Sequence, residues 1–123
     1  MRIFKNNYYF CSEKFDSNMV VTFEEKYLRE LYETGTTTDK KRRFQPEIAR
    51  KYRYCIKLLE SASSIESLYQ VKSLNYEVLK GNKEGISSIR VNLQYRIEFT
   101  VTNEGTEPVI TVCNILELSN HYK

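Results

Sequence analysis

No run of 18 apolar residues occurs in this sequence, which excludes a membrane-spanning helix, and the N-terminus lacks the apolar core of a secretory signal. The expected location is the cytoplasm, with no membrane partner. Cysteine is scarce: Cys11, Cys55 and Cys113 are odd in number and far apart, which fits neither a disulfide framework nor a CxxC metal site. They read as reduced thiols, mostly in the core, and no metal site is expected. Internal repeats and low-complexity tracts are absent, and 123 residues suit one compact domain. Histidine occurs once, at His121.

What is present is a modest core, with 41% apolar and 13% aromatic residues, and a net charge of +3. That charge alone does not mark a nucleic-acid binder; its distribution says more. Between Lys40 and Lys57 lie eight of the 19 basic residues, Lys40, Lys41, Arg42, Arg43, Arg50, Lys51, Arg53 and Lys57, against the single acid Glu47. One side of the protein is expected to be distinctly positive, either as a solvated face or as an edge that meets RNA or a partner.

Residues 1–18, "MRIFKNNYYFCSEKFDSN", are polar with scattered aromatics and no sustained period. They read as an N-terminal extension, flexible or ordered only by contact with another molecule, ahead of one domain over 19–123. Residues 19–22 form a short apolar run that reads as a first strand. Thr22 and Glu25 have the spacing of a capping box, in which a hydroxyl and a carboxylate three residues on satisfy each other's backbone N–H groups. A first helix is expected to start there, with Phe23, Tyr27, Leu28, Leu31 and Tyr32 on its apolar face and Gly35 as its stop. After a polar loop, Pro46 opens a second helix whose stripe of Ile48, Tyr52, Cys55, Ile56 and Leu59 faces the core while Arg50, Arg53 and Lys57 share another face. Ser63 and Glu66 repeat the capping spacing and predict one or two further helical turns.

From about residue 75 the apolar period becomes two. "YEVLKG", "SSIRVN", "YRIEFTVT" and "PVITVCNILEL" read as four strands, the last apolar on both faces as if covered on both sides. The expected fold is α+β, two N-terminal helices packed on a small, mostly antiparallel sheet.

The strands "SSIRVN" and "YRIEF" each carry one arginine. A three-residue loop "NLQ" pairs Val91 with Tyr95, Arg90 with Arg96 and Ile89 with Ile97, so apolar meets apolar. A two-residue loop sets Ile89 against Glu98, and a one-residue slip turns every side chain to the wrong face. The favoured register juxtaposes two guanidinium groups, which is costly unless an anion lies beside them. A phosphate, gripped bidentately, meets that need; so does a structural network with Glu98 or Glu77. Lys80 can add a third positive group.

"YEVLKGNKEGISSIRVNLQYRIEFTV", with "VTFEEKYLRELYETG" before it and "VCNILELSNHYK" after it, resembles the HigB toxins of the RelE/ParE superfamily, over about residues 19–123. The resemblance implies a RelE-like fold and a type II toxin that is a ribosome-dependent endoribonuclease, cutting messenger RNA by metal-independent attack of the ribose 2'-hydroxyl and so stopping translation, without a cofactor. It implies a HigA-like helix-turn-helix antitoxin as partner, with operator DNA met only through that antitoxin. By the same resemblance Arg90 and Arg96 hold the scissile phosphate, Lys80 of "LKG" assists, and Lys40, Lys41, Arg42, Arg43, Arg50, Arg53, Lys57 and Lys83 face the ribosome and its RNA. Many HigB toxins end their last strand with Asp-Tyr-His. Here Ser119 and Asn120 stand at the first two positions, His121 keeps the imidazole and Tyr122 follows it, so His121 and Tyr122 are the expected proton-transfer groups. The superfamily also includes toxins directed at DNA gyrase, and a catalytically silent or gyrase-directed binding protein is the competing expectation.

Overall fold

A computed structural model describes residues 18–106 and 109–120. Among them the chain runs β1 (Met19–Phe23), α1 (Lys26–Thr34), α2 (Pro46–Ser61), α3 (Ile65–Leu68), β2 (Glu77–Val78), β3 (Ser87–Arg90), β4 (Tyr95–Glu104) and β5 (Ile110–Asn120), with short 3-10 turns at Lys72–Leu74 and Gly81–Lys83. The five strands form one mixed sheet in the order β1-β5-β4-β3-β2. The class is α+β with a first strand ahead of the helices, as expected; the sheet is mixed, because β1 lies parallel to β5 while the other three pairings are antiparallel. A parallel partner needs a long crossover, and here it is the whole of the intervening chain.

That pairing also explains why the first helix starts late. Thr22 stays in β1 opposite Asn114, and its hydroxyl donates to Asn114 Oδ1 at 2.7 Å, so it is not available as a helix cap. The helix begins at Lys26, with Glu25 as an N-cap that makes no side-chain capping bond. At the other end Gly35 sits at φ 84°, and its N–H donates to Leu31 O at 2.9 Å; only glycine adopts this left-handed stop without strain. Pro46 opens α2 as expected. In α3 the cap falls one residue later than the sequence spacing implies: Ser64 Oγ accepts from Ser67 N–H at 3.2 Å.

The core lies between the helices and one face of the sheet. Tyr27, Leu28 and Leu31 of α1 and Ile48, Tyr52, Cys55, Ile56 and Leu59 of α2 pack with Val21, Ile89, Ile97, Phe99, Cys113, Ile115 and Leu118 from the strands. Tyr52 is fully buried and satisfies its hydroxyl by donating to Leu28 O at 2.8 Å, which ties the two helices together. The double-sided apolar pattern of β5 has two causes: neighbouring Val112 and Cys113, turned to opposite faces, are both buried, and the strand carries a bulge. Glu98 pairs with Glu117 and Phe99 with Ile115, so Leu116 is an extra residue in β5. This bulge lets Ile115 and Leu118, three apart, both reach the helix side. Residues 1–17, which hold most of the expected N-terminal extension, lie outside the described residues; the last before β1, Asn18, accepts a bond from Thr111 N–H at 2.8 Å. No helix among the described residues is long and apolar enough to cross a membrane.

Candidate active site

Pairing register decides where the functional side chains stand. Ile89 faces Ile97 and Arg90 faces Arg96, and Val91 N–H donates to Tyr95 O at 2.9 Å. The connecting loop is closed by Asn92, whose Oδ1 accepts from the N–H groups of Gln94 at 2.8 Å and Tyr95 at 2.7 Å. An asparagine turn of this kind fixes the three-residue loop, and the loop fixes the register. Since Ile89, Ile97 and Phe99 enter the core, strand alternation sends Ser88, Arg90, Arg96 and Glu98 to the opposite face of the sheet.

The two arginines are not in equivalent surroundings. Arg96 is held: its Nη1 donates to Ser88 Oγ at 3.2 Å and lies 3.3 Å from Glu77 Oε2. Arg90 makes no ion pair among the described residues; its backbone carbonyl accepts a long contact from the Cys55 thiol at 3.7 Å. The carboxylate network weighed against a phosphate therefore exists, but it reaches only one member of the pair.

One row of the sheet crosses Glu77, Ser88, Glu98 and Glu117 on four successive strands. Glu98 is buried, and Lys83 Nζ donates to both of its carboxylate oxygens, at 3.0 and 3.1 Å. Lys83 arrives from the 3-10 turn that follows "LKG". Lys80, at the start of that turn, is exposed, and among the described residues no hydrogen bond or ion pair joins it to the arginines.

Beside this face lies an open cleft of about 530 Å³, lined by Lys41, Arg42, Arg43 and Phe44 of the α1–α2 loop, by Lys83 and Tyr95, and by Glu117 to Asn120 of β5. The loop is anchored from both sides. Arg42 lies over the Tyr27 ring at 4.7 Å, and Phe44 meets the Tyr95 ring edge-on at 5.7 Å. Further back, Glu30 accepts from Thr37 and Thr38. These bonds, the Thr38 backbone N–H foremost, hold the Glu30 carboxyl below its usual range.

The basic residues between Lys40 and Lys57, expected on one side, thus divide into two groups. Lys41, Arg42 and Arg43 line the cleft, and Lys40 is exposed next to them in sequence. Arg50, Arg53 and Lys57 of α2 do not line it. Arg53 turns to the end of α1, donating from Nε to Tyr32 O at 2.8 Å and from Nη2 to Glu33 O at 3.4 Å, and Lys57 sits over the Tyr32 ring at 5.4 Å. A guanidinium there meets carbonyls that the helix leaves unpaired and the negative end of its dipole. Arg50 is exposed. His121 and Tyr122 lie outside the described residues; they follow Asn120, which lines the cleft. Cys55 and Cys113 are buried free thiols, and desolvation pushes them up to about 11 and about 12. Among the described residues no cluster of three or more His, Cys, Asp or Glu could hold a metal ion.

The chemistry on offer is an arginine pair on a sheet face where Glu77, Glu98 and Glu117 balance Arg90, Arg96 and Lys83, beside a basic cleft, a build that suits the class of small RelE-like toxins. A family model, the RelE-like toxin of type II toxin-antitoxin system HigB, matches residues 21–110. The chain belongs to this HigB-like toxin family, and a toxin–antitoxin system implies an antitoxin partner. Toxin HigB-1 of Vibrio cholerae serotype O1 is 33% identical over 82 residues, which are 66% of this chain and 82% of that toxin. A YoeB/ParE toxin from Agrobacterium tumefaciens has a TM-score of 0.48 at 17% identity, covering 83% of this chain and 98% of the other.

Proposed function

We propose that this toxin is a ribosome-dependent endoribonuclease that cuts messenger RNA and stops translation in the cytoplasm, and that a HigA-like helix-turn-helix antitoxin neutralises it and carries any contact with operator DNA. The observation that supports this most is the juxtaposition of Arg90 and Arg96 with Arg90 unpaired among the described residues. A like-charge pair on a sheet face is stabilised by an anion between its members, and a phosphodiester is the anion that guanidinium groups match in both charge and geometry.

In the proposed reaction the ribose 2'-hydroxyl loses a proton and attacks the adjacent phosphorus. The P–O5' bond breaks, and the leaving oxygen takes up a proton, giving a cyclic phosphate and a free 5'-hydroxyl. Arg90 and Arg96 hold the non-bridging oxygens and stabilise the charge that builds on the phosphorane. His121, as base or acid, moves one proton, since an imidazole titrates near neutral pH, and Tyr122 or a ribosomal group serves the other step. Lys80 and the loop cations Lys40, Lys41, Arg42 and Arg43 meet the RNA backbone. No step calls on a metal ion. The toxin domain in this reading is residues 19–123.

The test is incubation of the purified protein with a messenger RNA, free and on programmed ribosomes. New 5' ends on the ribosome-bound message alone support the reading. Intact message in both, with loss of gyrase supercoiling in a parallel assay, would replace it with the gyrase-directed one.

A further inference from the structure

Glu98 has no role in the reaction just described, yet it is the buried acid of the functional face. A carboxylate is costly to bury unless it is paired, and this one lies in the same sheet row as Glu117, directly across from it, where like charges repel. A serine or threonine would fill a strand position between Ile97 and Phe99 without that cost. What Glu98 alone provides is a fixed partner for a cation, and the cation present is Lys83, bound through both carboxylate oxygens.

The two ion pairs of this face are layered in opposite senses. In the Lys83–Glu98 pair the anion lies beneath, its side chain 10% exposed, and the cation on top at 50%. In the Arg96–Glu77 pair the cation is at 14% and the anion at 49%. A phosphate approaching from solvent therefore meets the positive end of the first pair. An ammonium carries three donor protons, and two bonds to Glu98 leave donor capacity for a second anion. A lysine on a free four-carbon stem loses much rotamer freedom when it binds; Glu98 removes that loss in advance. Lys83 also lines the cleft with Arg43 and Ser119, so it stands between the sheet face and the basic loop.

We infer that Glu98 is a positioning residue that fixes Lys83 as a phosphate-facing cation of the active site, beside the arginine pair. The inference rests on the endoribonuclease reading and deepens it. Lys83 acts on the charge of the reacting phosphate; Glu98 acts only through Lys83.

A double-mutant cycle under single-turnover cleavage on programmed ribosomes tests this, with thermal melts to confirm folding. Lys83→Met is expected to slow cleavage about 10- to 100-fold, at or below the low end of the loss for one preorganised donor to a developing oxyanion, with ribosome affinity changed less than twofold. Glu98→Gln is expected to slow it about 10-fold, and the double variant to match Lys83→Met, since residues acting through one another are non-additive. Multiplying effects would overturn the positioning role, and a wild-type rate in Lys83→Met would overturn the inference as a whole. If Glu98→Gln does not fold, Glu98→Asp takes its place in the same cycle, read the same way. Failure of the wild-type protein to cleave would instead strike the proposed function, so the two failures are distinguishable.

Discussion

Arg90 and Arg96 face each other across β3 and β4, yet only Arg96 is tied to a carboxylate, with Nη1 3.3 Å from Glu77 Oε2. The pair is therefore asymmetric in what it does for the fold. Arg90→Ala removes like-charge repulsion and should leave the melting temperature unchanged or slightly raised. Arg96→Ala removes a half-exposed ion pair and the bond to Ser88, which should cost about 1 kcal/mol, or about 3–5 °C for a domain of this size. Both should abolish cleavage while antitoxin binding is retained. Thermal melts beside a cleavage assay check this; unfolding of the Arg90 variant would favour a purely structural role.

The two basic groups should separate under mutation. Arg53→Met takes two donors from the last carbonyls of α1 and should lower stability by about 1–2 kcal/mol, with the folded protein cutting at the wild-type rate. Arg43→Ala, exposed at the cleft, should keep its melting temperature, weaken ribosome binding and flatten its salt dependence, as expected when a phosphate contact is lost. The measurement is ribosome affinity across a salt series. A flatter slope for Arg53→Met than for Arg43→Ala would reverse the assignment.

The buried thiols give the fold an alkaline limit. Cys55 and Cys113 are raised from 9.0 to about 11 and about 12 by desolvation, so above pH 9 the unfolded chain gives up thiol protons that the native state keeps. The unfolded state then binds fewer protons, and stability falls as pH rises, by at most about 1.4 kcal/mol per pH unit for each thiol. Stability from this source is complete below pH 9 and is lost progressively above it. Urea melts at pH 8, 9 and 10 should show the decline, and replacing both cysteines by alanine should flatten it. A slope unchanged in that variant would assign the effect elsewhere.

A chain begun at Met19 should fold. It loses the bond from Thr111 N–H to Asn18 O, about 0.5–1.5 kcal/mol, while every core residue among those described lies within the retained part. Circular dichroism melts and toxicity on induction compare the two chains; insolubility of the shorter one would show that residues 1–18 are part of the domain.

Where a local rule and the hydrophobic pattern agreed, the sequence was readable. The alternation around Ile89 and Ile97 specified the arginine register, and Gly35 and Pro46 marked helix ends. What escaped depended on distant partners. Thr22 has the look of a helix cap, but Asn114, far along the chain, takes its hydroxyl into the sheet. The bulge at Leu116 becomes visible only once β4 is laid against β5. Spacing on α2 placed Arg50, Arg53 and Lys57 on one face, but not the α1 carbonyls that claim Arg53. Glu98 reads from the sequence as a candidate partner of the arginines; its burial and its pairing with Lys83 instead come from a turn whose fold over the sheet no local pattern reveals.

The most direct measurement is a transcriptome-wide map of new messenger RNA 5' ends after induction of the wild-type protein, of Arg90→Ala and of His121→Gln, each with and without a block to translation initiation. The account predicts discrete new ends within translated regions for the wild type, loss of those ends when initiation is blocked, a fall of about 100-fold or more for His121→Gln, in line with removal of a general acid or base, and no new ends at all for Arg90→Ala. Growth arrest by the wild type without new 5' ends, or undiminished cleavage by Arg90→Ala, would contradict it.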